Sequence, residues 1–167
     1  MKIHFPTIKK YTLLICYTLF FLTSCKTIKF DDVNETKAVN EMLNKWHNDV
    51  ANYNYDDYFN AFSKEGYYIG TDATENWRQN EFKIFSKPYF DKKNTWNFTT
   101  KQRYIYFSKD QQFVWFNELL DTWMGICRGS GVLEKENGHW KIKQYVLSVT
   151  VPNSEMKKVI EIKKLKE

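Results

Sequence analysis

The sequence predicts an α+β fold in which N-terminal helices pack on a strongly curved antiparallel sheet, and three observations carry that prediction. Apolar residues recur at helical spacing between residues 39 and 53, whereas from Thr95 onward the apolar pattern changes to period two. The period-two region is cut by Lys109-Asp110-Gln111-Gln112, by Met124-Gly125 and by Glu136-Asn137-Gly138, short turns that join successive strands into an antiparallel meander. Gly129 and Gly131 fall inside one of those strands, where absent side chains permit a bend, so the sheet is expected to cup. A length of 167 residues bounds the chain to one domain, and 18 % aromatic content supplies the large apolar side chains for its core.

The chain opens with an address. Residues 1–10 carry three lysines and no acid, residues 11–22 (YTLLICYTLFFL) are nearly all apolar, and Thr23-Ser24 lead into Cys25. That is the layout of a secretory signal peptide, and its apolar run falls short of the ~20 residues needed to span a bilayer. Leu22-Thr23-Ser24-Cys25 resembles the bacterial lipobox, whose cysteine becomes the lipidated first residue of the mature protein. The expected organisation is therefore a lipoprotein signal peptide over 1–24, lipidated Cys25 with a tether over 25–33, a folded domain over 34–153 and a C-terminal helix or tail over 154–167. This puts the protein in the cell envelope, anchored to a bacterial membrane and facing the periplasm or the cell surface.

Removal of the leader leaves 22 basic against 20 acidic side chains, so the formal charge of +5 overstates the mature domain. A nearly neutral chain without a basic motif excludes a nucleic-acid partner. Cys16 leaves with the leader and Cys25 takes the lipid, so Cys127 has no partner for an internal disulfide and reads as a small buried hydrophobe. No His or Cys pair stands at ligand spacing and no glycine loop opens a helix, so neither a metal nor another cofactor is expected.

In the domain, Val39, Met42, Leu43, Trp46, Val50 and Tyr53 form one apolar stripe of a first helix, with His47 at its edge. A second helix is expected over Asp56–Lys64, stopped by Gly66, and Tyr67-Tyr68-Ile69 reads as a short strand. Asp72 followed by Glu75 has the spacing of a capping box, which starts a third helix over Thr74–Phe85, closed at Lys87-Pro88. Asp72 is also placed to sit on the rim of a cavity as a general base or ligand-orienting carboxylate. Four strands follow, Thr95–Ser108, Phe113–Trp123, Gly125–Lys135 and His139–Val151, and then a helix over Glu155–Leu165.

The stretch Phe113–Leu133 carries Glu118, Asp121, Arg128 and Ser130 amid aromatic residues, and polar groups inside an apolar sheet line pockets. In the last strand Trp140 and Ile142 point inward, and alternation then puts Gln144, Val146 and Ser148 on the same side. The ligand-binding set is Asp72, Trp77, Trp115, Glu118, Arg128, Ser130, Gln144 and Ser148. Glu118 is opposite in phase to Trp115 and Asp121, which sends Asp121 to the rim or outer face. Glu118 and Arg128 are expected to form the interior ion pair.

Gly70-Thr71-Asp72 with Trp77, Trp115-Phe116 with Glu118, Cys127-Arg128-Gly129-Ser130-Gly131-Val132-Leu133, and Trp140-Lys141-Ile142 through Gln144-Tyr145 to Ser148 and Pro152-Asn153 together resemble the SnoaL-like branch of the nuclear transport factor 2-like superfamily. The resemblance covers about residues 36–153 and implies that superfamily's cone-shaped fold. It implies three functions: a non-catalytic domain that binds a small, mostly apolar or amphipathic molecule, which we favour; an isomerase, dehydratase or cyclase with Asp72 or Glu118 as base; or an assembly module that dimerises through its open sheet face. Whether any reaction is catalysed stays open on the sequence, and no catalytic residue is assigned.

Overall fold

The computed structural model describes residues 32–164. The signal peptide, the lipidated Cys25 and nearly all of the tether lie outside the described residues.

Helix α1 spans Asp32–Ala51 and therefore begins inside the segment expected to be tether. Val39, Leu43, Trp46 and Val50 recur at intervals of four, three and four, and all are buried. The helix ends where Tyr53 takes a left-handed φ of 63° and the Asn54 N–H turns back to the Asp49 carbonyl at 2.8 Å. Helix α2 is only Tyr55–Asn60, and strand β1 runs Phe62–Ile69, so the second helix is shorter and the first strand longer than the sequence predicts. Phe62 pairs with Ile142 of the last strand, and this non-local pairing claims residues that local pattern assigns to a helix.

The next difference concerns Asp72. Its carboxylate accepts from the Thr74 N–H (2.9 Å) and hydroxyl (2.6 Å), which ties a turn between β1 and a short strand β2, Asn76–Arg78. Helix α3 starts afterwards and spans Gln79–Asp91, with Glu81 rather than Glu75 accepting the backbone N–H at its start, from Arg78 at 2.8 Å. Pro88 lies inside α3 instead of closing it. Proline there removes the bond to the Ile84 carbonyl, and Ile84 is 75 % exposed, so water can serve that oxygen.

The order and pairing of the meander are as the sequence predicts, β3 Thr99–Phe107, β4 Phe113–Thr122, β5 Gly125–Glu136 and β6 His139–Val149, each antiparallel to the next, but β3 starts four residues later than expected and β6 ends two residues earlier. The sheet order is β2-β1-β6-β5-β4-β3, with β1 parallel to β6, so the curved sheet is mixed rather than wholly antiparallel. A 3₁₀ turn over Asn153–Glu155 leads to α4, Met156–Lys164, which buries no residue.

One face of the sheet meets the helices. Val114, Phe116, Glu118 and Leu120 of β4 and Cys127, Gly129 and Leu133 of β5 are buried on it. In β6 the inward residues are Trp140 and Ile142, then Tyr145 and Leu147. The change of phase is a β-bulge: Leu133 pairs with Ile142 but Val132 pairs with Gln144, leaving Lys143 as an extra residue. Gln144 and Ser148 are thereby turned to the outer face, against the alternation carried over from Trp140 and Ile142. The hydrophobic core lies between Val39 and Leu147, so the described region contains its own core.

Candidate functional site

Two features occupy the space between sheet and helices. The first is a buried polar network around Glu118, which is 1 % exposed. Its Oε1 accepts from the Tyr145 hydroxyl at 2.9 Å and lies 2.8 Å from His47 Nε2. Its Oε2 takes Arg103 Nε at 2.9 Å and Nη2 at 2.7 Å. Arg103 Nη1 donates onward to the side-chain oxygens of Asn40 (3.0 Å) and Asn44 (2.9 Å) on α1. Burial by itself would push the Glu118 carboxyl up, but His47, by hydrogen bond and charge, and Arg103 outweigh it and pull the value down to about 2. Burial first, and the Glu118 charge second, hold the Tyr145 phenol protonated as a donor.

Gly129 makes this arrangement possible. A Cβ there would lie 2.2 Å from the Tyr145 hydroxyl and 2.9 Å from Glu118 Oε1. The glycine in β5 is thus a gap through which Tyr145 of β6 reaches the carboxylate of β4.

The expected Glu118–Arg128 pair does not form. Arg128 is exposed on the outer face, opposite Leu119 and Ser148, while Glu118 points inward. The partner is Arg103 of β3, directly across from Glu118 in register, with a side chain 4 % exposed.

The second feature is an aromatic cleft of about 240 Å³. The β1–β2 hairpin contributes Tyr68, Gly70, Thr71, Glu75 and Trp77, α3 contributes Phe82, Phe85 and Tyr89, and the approach to β3 adds Trp96 and Phe98. Leu147 lies within it, and Trp123 and Met124 of the β4–β5 turn stand at its edge. Trp77 stacks on Phe85 at 4.5 Å and on Phe82 at 5.6 Å, and Phe82 stacks on Tyr68 at 4.0 Å. Burial first, and the nearby Glu75 charge second, keep Tyr68 a neutral phenol.

Of the ligand-binding set read from sequence, Trp77 lines this cleft and Asp72 sits in the hairpin turn beside it. Glu118 is beneath it, linked through Tyr145, whose ring stacks on Tyr68 at 5.8 Å. Trp115, Arg128, Ser130, Gln144 and Ser148 belong to the other face of the sheet and are not brought together with them. Asp121 is exposed, 3.4 Å from Lys101.

Sequence reasoning missed Arg103, Tyr145, Glu75 and the α3 rings. For Arg103 a signal existed: it shares parity with Ile105 and Phe107, and an arginine at an inward strand position needs an anion. His47, expected at the edge of the first helix's apolar stripe, packs as a partner of Glu118. Among the described residues no group of His, Cys, Asp and Glu is arranged to hold a metal ion.

Helices laid over one face of a six-stranded curved sheet, with an aromatic opening, define the nuclear transport factor 2-like class of α+β domains. Within it, the SnoaL-like domain profile matches residues 39–152, and the chain belongs to that family. Solved structures share the fold at low identity. A domain of unknown function with a cystatin-like fold from Nostoc punctiforme superposes with a TM-score of 0.65 at 12 % identity, covering 81 % of this chain and 88 % of that one. A proposed scytalone dehydratase from Novosphingobium aromaticivorans gives 0.62 at 11 % identity, covering 72 % and 87 %. A nuclear transport factor 2-like protein of unknown function from Pseudomonas putida gives 0.61 at 8 % identity, covering 74 % and 91 %. No curated protein matches the chain in sequence.

Proposed function

We propose that this SnoaL-like domain binds a small, flat, mostly apolar molecule in the aromatic cleft without transforming it, tethered to a bacterial membrane through lipidated Cys25. The observation that carries the reading is the stacked wall of Trp77, Phe82 and Phe85 around an open cleft of about 240 Å³. That volume lies just under the ~300–1,000 Å³ of drug-sized sites, which suits a ligand of one or two rings.

The non-catalytic part of the reading rests on Glu118. A general base needs a proton affinity near the working pH, and a carboxylate held near 2 by His47 and Arg103 lacks it. Its oxygens are also occupied by Arg103, His47 and Tyr145. Native mass spectrometry of the chain from Lys26 onward tests the reading. A small apolar molecule should co-purify and be lost in Trp77→Ala; a reproducibly empty cleft would remove it. The anchor is tested separately, because Cys25→Ser should move the protein from the membrane to the soluble fraction.

One observation favours assembly as an additional role. Tyr106 and Trp115 stack at 6.0 Å on the outer face of the sheet and are 45 % and 50 % exposed, an apolar pair suited to cover by a second copy.

A further inference from the structure

The cleft contains a carboxylate that the aromatic reading leaves unused. Glu75 lies at its mouth, partly buried, in the turn between β1 and β2. Its Oε2 accepts one hydrogen bond, from the Asp72 N–H at 3.2 Å, and among the described residues no lysine, arginine or histidine comes within ion-pair distance of it. Two acids that face inward in this domain do have cations: Glu35 has Lys135 at 2.6 Å and Glu118 has Arg103 at 2.7 Å.

The backbone is shaped around this group. A Cβ on Gly70 would sit 2.0 Å from Glu75 Oε2 and 2.9 Å from Cδ, so the carboxylate folds back over the end of β1 because residue 70 has no side chain. The Gly70 N–H to Glu75 carbonyl bond at 2.9 Å and the Glu75 N–H to Asp72 carbonyl bond at 3.0 Å fix the turn that holds it there. Around it stand π-rich rings: Trp77 on the same hairpin, Phe85 and Tyr89 from α3, and Trp123, which is 82 % exposed at the edge.

We infer that the ligand of this cleft carries a cationic nitrogen, an ammonium or quaternary amine on an otherwise apolar frame, with the charge set between Glu75 and the ring faces of Trp77 and its neighbours. The inference deepens the binding function proposed above and rests on it. Ring faces attract cations through their quadrupole, and a carboxylate within the same mouth adds a Coulomb attraction that partial removal from water strengthens. An anionic ligand would meet Glu75 as a like charge, and a neutral one would gain at most a hydrogen bond from it.

The test titrates the chain from Lys26 onward with naphthalenemethanol, naphthylmethylammonium and naphthoate, probes that share one ring system and differ in charge, followed by tryptophan fluorescence and calorimetry. The expected order is cation, then neutral, then anion, with the cation about tenfold tighter than the alcohol. In Glu75→Gln the ratio of cation to alcohol affinity should fall several-fold, to the smaller advantage that the rings alone supply. Binding of the alcohol with no advantage for the cation, or an advantage undiminished in Glu75→Gln, overturns the inference and leaves the apolar cleft standing. Failure of all three probes removes the cleft as a ligand site and the inference with it. The comparison of probes on the unaltered chain decides the matter even where Glu75→Gln does not fold.

Discussion

Glu118 shows how much a single residue can organise. Removing its charge strands Arg103, whose guanidinium is enclosed by Asn40, Asn44 and Thr100 and has no other carboxylate partner among the ion pairs of the described residues. Glu118→Gln is therefore expected to cost about 3–5 kcal/mol in urea unfolding. Glu118→Leu combined with Arg103→Met should cost less than that single change, because the Arg103 guanidinium is no longer left alone, although His47 and Tyr145 still lose their acceptor. The same pair sets an acid limit. Glu118 titrates lower in the folded chain, at about 2, than its ordinary value of 4.5, so the unfolded state binds the proton first. Its contribution is fully present above about pH 4.5 and is lost as pH falls toward 2, a change on the order of 3 kcal/mol. Stability measured against pH should fall across that window, and less so in Glu118→Gln. From the sequence, Glu118 was legible as an interior carboxylate from the parity of Val114, Phe116 and Leu120, but its partner was not. Partner choice depends on which residue of a neighbouring strand lies opposite, and Arg103 and Arg128 both sit on strands adjacent to β4. Only inward parity, which Arg103 has and Arg128 lacks, separates them.

The elements that local pattern read correctly are those whose neighbours in space are neighbours in sequence. The hairpins at Ser108–Gln112, Trp123–Met124 and Asn137–Gly138 join β3 to β6 as their turn residues predict, with Asn137 and Gly138 both at positive φ. Of the misread elements, β1 answers to a distant partner, being drawn out along β6, whereas β2 pairs locally back on β1 across a turn that reads as a helix start. The bulge at Lys143 is likewise invisible to strict alternation, and it reverses the facing of every β6 residue after it. That one extra residue moved Gln144 and Ser148 out of the expected pocket and put Tyr145 into the Glu118 network. Helix α3 offers a check at this scale. Pro88 interrupts its bonding where a good helix former would continue it, so Pro88→Ala should stabilise the domain by about 1 kcal/mol, read as a rise in thermal midpoint. An unchanged or lowered midpoint would mean that the proline ring packs productively.

For the molecule as a whole, the cone-shaped fold was legible because helical and period-two patterns change over at a clear point near Thr95, and because the quoted motifs span most of the domain. The site was only partly legible, since the cleft is assembled from the β1–β2 hairpin, α3, the approach to β3 and the β4–β5 turn, segments that no spacing rule connects. The outer face makes its own prediction. If Tyr106 and Trp115 are covered by a second copy of the chain, light scattering will find a dimer, and Trp115→Arg will shift it to monomer; a monomeric wild type at high concentration would remove the assembly role.

The parallel pairing of β1 with β6 also bears on the order in which the chain can fold. β1 has β2 on one side, but its other edge waits for residues 142–146, which are synthesised some eighty positions later. Loop closure over that span must come before the reward of the contact, so the first strand stays half-paired until the meander is complete. A nascent chain cut off before His139 leaves the Glu118 carboxylate without its Tyr145 donor and the β1 edge open to other chains. The last strand to be made is thus the one that closes the sheet and completes the polar centre.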